Sequence, residues 1–482
     1  MSDMRPDVLA CLCLGVLMTT SCGGGGGGGG GTDPDDTPPA VTLTEPSPGT
    51  VAGEISLTAD AADAGGVAGV RFLIDGQPLG DEDVSSPYSI AWNSVATANG
   101  THVLAARARD AAGNEAQSET VTVTVANPVP TGALTVTLTL GGDGTDPDGF
   151  TVLIDGAQRG TLPSAGAITI ESVDAGSHQV SLGGLGTYCR TTGSGSVSIA
   201  ITADQTTETA FNVECVSPPT GRILYRGIVT FNAPYFFVTV NPDGSDARPV
   251  AVTGDEPDWS PDGVRIAYVR SENIHLMNTD GSGDVELFAS PEREHGPVWS
   301  PDGTRLLFSQ SVPSGGALFV TPVDAPDPQP VFADAISRGH GSWSPDGSRV
   351  AYTSSIDNAE HLGIWVADVD GTDAVQLTGG PFDVQPAWSP DGSRILFRRQ
   401  LVSGGQSEIW TVNVDGSNPL NATNNPAFDY DPAWSPDGKW MAFVSERGAL
   451  TRVWVSRPDG SFATPVSSTT YEFVASPSWR SP

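Results

Sequence analysis

From Pro39 onward, apolar residues come in short alternating runs broken by Gly, Pro, Asn and Asp, and no long stretch there carries a helical period. Runs such as Val121-Thr-Val-Thr-Val125 and Leu134-Thr-Val-Thr-Leu-Thr-Leu140 put apolar side chains on one face of a strand. The pattern predicts an all-β protein. A first group of strands is Ile55–Thr58, Val70–Ile74, Tyr88–Trp92, His102–Ala108 and Thr120–Val125, with turns at Asp75-Gly76 and Asn99-Gly100. It predicts a small two-sheet sandwich over residues 39–127, with Trp92 in its core and His102 a half-buried strand residue. A second group, Leu134–Leu140, Phe150–Ile154, Ile168–Ile170 and Gly176–Val180, predicts another sandwich over residues 131–217.

The remainder, residues 221–482, is a repeat. Trp259, Trp299, Trp343, Trp388, Trp434 and Trp479 recur at spacings of 40, 44, 45, 46 and 45 residues, the period of a four-stranded propeller blade. Five of them open the string Trp-Ser-Pro-Asp-Gly, and nine residues after each of these five lies Tyr268, Phe308, Tyr352, Phe397 or Phe443. In that string serine bonds the turn backbone, proline presets φ and glycine leads into the next strand. Arg222-Ile-Leu-Tyr225 resembles Arg265-Ile-Ala-Tyr268 but lacks the preceding string, and Ser476-Pro-Ser-Trp479 has nothing after it. Joined, they complete one blade. The expected architecture is two small β-sandwich modules followed by a six-bladed β-propeller closed by its C-terminal strand, which removes exposed sheet edges.

These repeats closely resemble the propeller of the TolB family, a resemblance that covers residues 221–482. The stretch from Gly69-Val-Arg-Phe-Leu-Ile-Asp-Gly76 through Trp92, Gly100-Thr-His102 and Asp110–Asn114 resembles bacterial immunoglobulin-like surface domains. In the second module the xVxIDG strand and Ala175-Gly-Ser-His178 resemble the PEGA-type β-sandwich of bacterial envelope proteins. Residues 1–22 read as an export signal, with an apolar run from Val8 to Met18 too short to span a bilayer. Thr19-Thr-Ser-Cys22 resembles a lipoprotein lipobox, which implies lipidation of Cys22; Thr19 departs from the usual leucine, so simple cleavage stays open. The glycine tract Gly23–Gly31, within a tether over residues 23–38, suits an anchored protein. The implied location is the outer membrane, facing either the periplasm or the cell surface.

Composition narrows the partners. The net charge is −34 and Lys439 is the only lysine, which excludes nucleic acid and leaves no polybasic patch for lipid. Membrane contact would come only through the anchor. Beyond the signal and Cys22 only Cys189 and Cys215 remain; an exported chain is expected to pair them, the alternative being two buried thiols. No nucleophile elbow, zinc-binding helix or phosphate loop occurs, so the expectation is no enzyme, no cofactor and no metal. Asp368-Val-Asp-Gly-Thr-Asp373 has the carboxylate spacing of a calcium loop, yet other blades carry Asn278–Gly283 and Asn413–Asn418 in its place, as hairpin turns.

The segments entering each inner strand vary where the rest repeats. They supply the candidate ligand-binding residues at one channel mouth: Asp255, Glu256, Glu294, His295, Arg338, His340, Asp383, Asp429, Tyr430, Asp431 and Glu472. Their carboxylates, set against Arg338, predict a negative funnel for a basic peptide of an envelope partner or for another cation-bearing ligand. The function expected is that of a monomeric, non-enzymatic envelope binding protein with the sandwiches as spacer. An alternative is a propeller-based hydrolase or lyase acting on an extracellular polymer; a structural envelope component is the third class.

Overall fold

Alternation becomes sheet in both halves of the chain, and each half buries the face its sequence makes apolar. The computed structural model describes residues 35–229, 235–250, 252–313, 315–334, 336–355, 362–401, 405–448 and 450–481. Cys22 and the glycine tract lie outside the described residues. The chain divides into two units, residues 1–132 and 133–482.

In the first unit, Ala40–Glu45, Glu54–Ala62 and Tyr88–Asn93 form one sheet. Gly49–Val51, Val121–Val125, Gly100–Asp110, Val67–Ile74 and Gln77–Asp83 form the other. Leu57, Phe72, Trp92, Leu104 and Val123 make the core between them. His102 is more than a half-buried strand residue: its Nδ1 lies 2.7 Å from Asp75 Oδ2 and its Nε2 lies 2.8 Å from the Ala98 carbonyl oxygen. Asp75, at φ 49°, also accepts the Val103 N–H at 2.9 Å.

The second unit opens with a sandwich of two four-stranded sheets, in which Thr131–Gly141 pairs in parallel with Thr206–Cys215. Leu134, Val136, Phe150, Val152, Val180 and Phe211 fill its core. It repeats the histidine clasp: His178 sits 2.6 Å from Asp155 Oδ2 and 2.8 Å from the Asp174 carbonyl oxygen. A disulfide joins Cys189 to Cys215, which face each other across the Cys189–Thr191 and Thr206–Cys215 strands.

The propeller follows. Inner strands Asp255–Trp259, Glu294–Trp299, Arg338–Trp343, Phe382–Trp388 and Asp429–Trp434 each begin a run of four antiparallel strands. The third and fourth runs share one sheet through a single parallel pair, Leu362 with Phe382. The C-terminal strand Phe473–Arg480 pairs with Arg222–Ile228, so the last inner strand comes from the far end of the chain. Among the described residues these six inner strands pack side by side, and Phe473–Arg480 lies against Asp255–Trp259 to complete the ring.

The repeated string does one job five times. Ser260, Ser300, Ser344, Ser389 and Ser435 each donate to the aspartate two residues on, at 2.5–2.6 Å. Each also accepts, at 2.9 Å, the N–H five residues on. Arg265, Arg305, Arg349 and Arg394 lie over the tryptophan of the next blade, with the guanidinium 4.7–5.9 Å from the ring centre. The acidic loop Asp368–Asp373 is such a turn as well: Asp370 accepts from Thr372, and the Gly371 N–H bonds the Asp368 carbonyl.

Candidate functional site

A cavity of about 670 Å³ runs along the propeller axis and is lined by all six inner strands. Its geometry rests on one backbone feature. Three residues before each tryptophan stand Glu256, Gly296, His340, Gln385, Asp431 and Ser476, and all six are left-handed, at φ 48°, 55°, 48°, 57°, 52° and 50°. The strand register shifts at each of these points, which makes them six β-bulges in a ring. A bulge breaks the alternation of faces and re-aims a side chain. All six residues line the cavity. Five of the six are not glycine, so the ring holds a backbone conformation that costs about 1 kcal/mol or more at each such residue.

The ring is cross-linked by its own polar atoms. Glu256 Oε2 accepts the Gly296 N–H at 2.6 Å, and Asp431 Oδ2 accepts the Ser476 N–H at 2.9 Å. The Gln385 side-chain amide donates to Asp431 Oδ1. Burial, reinforced by the nearby Asp255 and Asp431 charges, raises the Glu256 carboxyl above its usual range. Burial also lowers the His340 imidazole below its usual value, although Asp431 opposes the shift. One residue before the tryptophans, polar side chains tie blades together. Asp258 takes the Ser478 hydroxyl at 2.7 Å and the Trp299 N–H at 2.9 Å, and Ser342 takes the Trp388 N–H at 3.0 Å. Burial pushes Asp258 up to about 6.

The structure brings only part of the expected mouth together. Glu256, His340 and Asp431 belong to the ring, and Asp255 and Tyr430 line the cavity beside it. His295 lies at a smaller side chamber of about 400 Å³, with Nε2 3.5 Å from Ser311 Oγ. Five other expectations are corrected, four of them at one strand position. Asp383 and Asp429 are fully buried in the blades, paired with Arg399 at 2.7 Å and Arg447 at 2.8 Å. Glu294 is fully buried too; it accepts the Ile274 N–H at 2.8 Å, and burial pushes it up to about 7. Arg338 does not line the axial cavity; it lines the side chamber with Glu256, His295 and His340, paired with Asp334 and 3.9 Å over the Phe332 ring. All four stand five residues before the tryptophan, and the bulge separates that position from the channel face. Glu472 is exposed and does not line the cavity; its N–H bonds the Ile228 carbonyl.

Arg338 is also not the cation of the mouth. Arg226 lines the cavity, pairs with Asp255 and lies 4.4 Å over the Tyr235 ring. Gln385 and Ser476 are ring members outside the expected set of mouth residues. The signal for them was present: each directly precedes the proline of the Pro-x-Trp entry. Chemically the ring offers two carboxylates, an amide, a hydroxyl and a neutral imidazole around an open axis. That set suits hydrogen-bonded binding of a cationic or donor-rich group.

Family comparison agrees with the repeats. Residues 273–400 and 341–481 match the TolB beta propeller domain, and residues 39–106 match a bacterial Ig domain. The C-terminal part therefore carries a TolB-type propeller, and the first sandwich is a bacterial Ig-like domain. No curated protein matches the chain. Among solved structures it is similar to TolB from Acinetobacter baumannii, at 22% identity over 55% of this chain and 68% of that one, with a TM-score of 0.48. It is also similar to a putative TolB from Agrobacterium tumefaciens, at 23% identity over 52% and 89%, with a TM-score of 0.43. An oligogalacturonate lyase in complex with manganese aligns at 17% identity over 51% and 74%, with a TM-score of 0.38.

Proposed function

We propose that this protein is a non-enzymatic binding protein of the bacterial cell envelope, whose propeller holds a segment of a partner protein at the bulge ring. One observation carries the reading. Inner strands that repeat the same tryptophan and turn place a different residue at each of six equivalent left-handed positions: Glu, Gly, His, Gln, Asp and Ser. A framework that repeats around a varied ring is what selective recognition needs. Of the arginines lining the cavity, Arg226 is paired with Asp255 and Arg480 lies 4.6 Å over the Trp259 ring. Glu256 and Asp431 thus favour a segment with a cationic side chain, and the low-dielectric walls focus their field. Lipidation at Cys22 would hold the protein at the outer membrane.

The enzymatic alternative needed Arg338 with His340, or Glu294 with His295, as a reacting cluster. Glu294 faces into the blades and does not meet His295 in the channel, while Arg338, held by Asp334, shares with His340 only the side chamber and not the axial cavity. The test is capture of partners from envelope extract by the full chain and by a Glu256→Gln, Asp431→Asn variant. The reading expects a partner whose association weakens with salt and falls about tenfold or more in the variant. A partner indifferent to both changes sinks it, and turnover of an extracellular polymer would establish the enzyme instead. Cys22→Ala is expected to move the protein from the membrane to the soluble fraction.

A further inference from the structure

In four blades the residue six after the tryptophan is arginine, namely Arg265, Arg305, Arg349 and Arg394, each stacked on the next blade's indole. The fifth blade breaks this rule with Trp440, which is fully buried. Its partner is the second sandwich. Trp440 Nε1 donates to the Ser217 carbonyl at 3.2 Å, and its ring meets Tyr188 edge-on at 5.6 Å. Beside it stands the chain's only lysine: Lys439 Nζ reaches Asp143 Oδ2 at 2.7 Å, and Arg457 reaches Asp143 Oδ1 at 2.8 Å. Arg457 also lies over Trp440, and Arg190 of the sandwich lies 4.7 Å over the Phe462 ring of the propeller.

The sandwich side of this contact is built around the disulfide. Tyr188 and Arg190 flank Cys189, while Val216 and Ser217 follow Cys215. The Val216 N–H bonds the Tyr188 carbonyl at 2.9 Å, and Arg190 pairs with Glu214 at 2.8 Å. The loop that carries Asp143 rests on the same segment, because Gly144 N–H bonds the Cys215 carbonyl and Ser217 Oγ bonds the Asp143 carbonyl at 2.7 Å. A Cβ on Gly142 would stand 2.0 Å from the Cys215 carbonyl oxygen, so only glycine passes there. The connecting segment Ser217-Pro218-Pro219-Thr220 is pinned at both ends, since Trp479 Nε1 donates to the Thr220 carbonyl at 2.9 Å.

We infer that the second sandwich is a fixed cap on the turn face of the propeller, and that the Cys189–Cys215 disulfide is the template that shapes its docking surface. The turns lie at the end of the inner strands opposite the bulge ring, so the cap leaves the ring as the presented mouth. The sandwich and propeller then open as one cooperative unit. This inference is independent of what the ring binds.

Hydrogen exchange and calorimetry on the full chain test it, with Trp440→Arg and Cys189→Ser, Cys215→Ser variants. Arginine at 440 is the residue the other blades accept, so the propeller is expected to keep its fold. Each variant is expected to speed exchange in residues 213–222 and 142–145 at least about tenfold and to split the unfolding of the second unit into two steps. Unchanged exchange and a single step in Trp440→Arg would overturn the cap. A response in Trp440→Arg with none in the cysteine variant would overturn the templating role. Lost protection throughout Thr131–Gly141 in the cysteine variant would also overturn that role and leave the disulfide as a general brace.

Discussion

The two ends of each inner strand follow opposite rules. At the tryptophan end, five strands run into the same turn, with serine, aspartate and glycine in the same hydrogen bonds. At the bulge end, a few residues earlier, the backbone is again the same six times, yet the side chains are all different. Where backbone and side chain both recur, the residues serve the fold. Where the backbone recurs and the side chain does not, the fold is holding a position open for recognition. The difference can be attacked from either end.

The largest effect should come from the frame. Removing residues 473–482 takes away the inner strand that pairs with Arg222–Ile228 and lies against Asp255–Trp259. Val474 goes with the strand, and two sheet edges and the core around Tyr225, Val444 and Tyr471 lose their cover. The truncated chain is expected to lose the cooperative propeller transition and to aggregate. A truncated chain that melts at the full-length temperature would break the closure of the ring.

That frame was legible because it is periodic: the tryptophan spacing and the turn string give blade and strand order without any tertiary knowledge. The ring was only half legible. Variable residues in the segments entering the inner strands were expected at the mouth, which is why Glu294, Arg338, Asp383 and Asp429 were placed there beside Glu256 and Asp431. The bulge begins at the residue three before the tryptophan and parts its face from that of the residue five before, and no propensity marks a left-handed glutamate or glutamine before proline. Ion pairs inside the blades, such as Asp383 with Arg399, were hidden for another reason: their arginines sit on neighbouring strands.

A matched pair within one strand gives the next effect. Ser389→Ala removes a buried hydroxyl that donates to Asp391 and accepts from the Arg394 N–H, and should cost about 1–2 kcal/mol. Gln385→Gly, four residues earlier, relieves a left-handed side chain at φ 57°. It also deletes the amide hydrogen bond to Asp431 and adds entropy to the unfolded chain, so the net change should stay within about 1 kcal/mol of zero. Denaturant melts of the two variants decide. A Gln385→Gly loss as large as that of Ser389→Ala would place Gln385 in the frame.

Charge separates the two ends more finely. Glu256→Gln should slow association with a cationic partner severalfold at low salt and leave the melting temperature nearly unchanged. Asp258→Asn, two residues on, should do the reverse, because both Asp258 oxygens hold neighbouring strands. Association kinetics and melts of both variants check the contrast, and equal effects on binding would erase it.

The smallest effect concerns histidines. His102 and His178 recur at the same place in two sandwiches, each with one ring nitrogen on a carboxylate and the other on a carbonyl oxygen. Both neighbours can only accept when the aspartate is ionised, so both ring nitrogens must donate, and the ring is held as the cation. The Asp75 and Asp155 hydrogen bonds accordingly raise these two histidines above the ordinary 6.5. Their stabilisation is complete below that value and fades as pH climbs through the raised folded value. His340 occurs once, in the ring, and burial lowers it. Protonating it opposes folding, so its contribution is complete above about 6.5 and is lost as pH falls toward its lowered folded value. His102→Gln should therefore destabilise the first sandwich more at about pH 5.5 than at about pH 8. His340→Gln should be neutral at about pH 8 and slightly stabilising to the propeller at about pH 5.5. Denaturant unfolding of each variant against the wild type at the two pH values isolates these terms from the other titrating groups. A His340→Gln variant that loses stability most in acid, as His102→Gln should, would make His340 part of the frame and remove the ring's only imidazole from recognition.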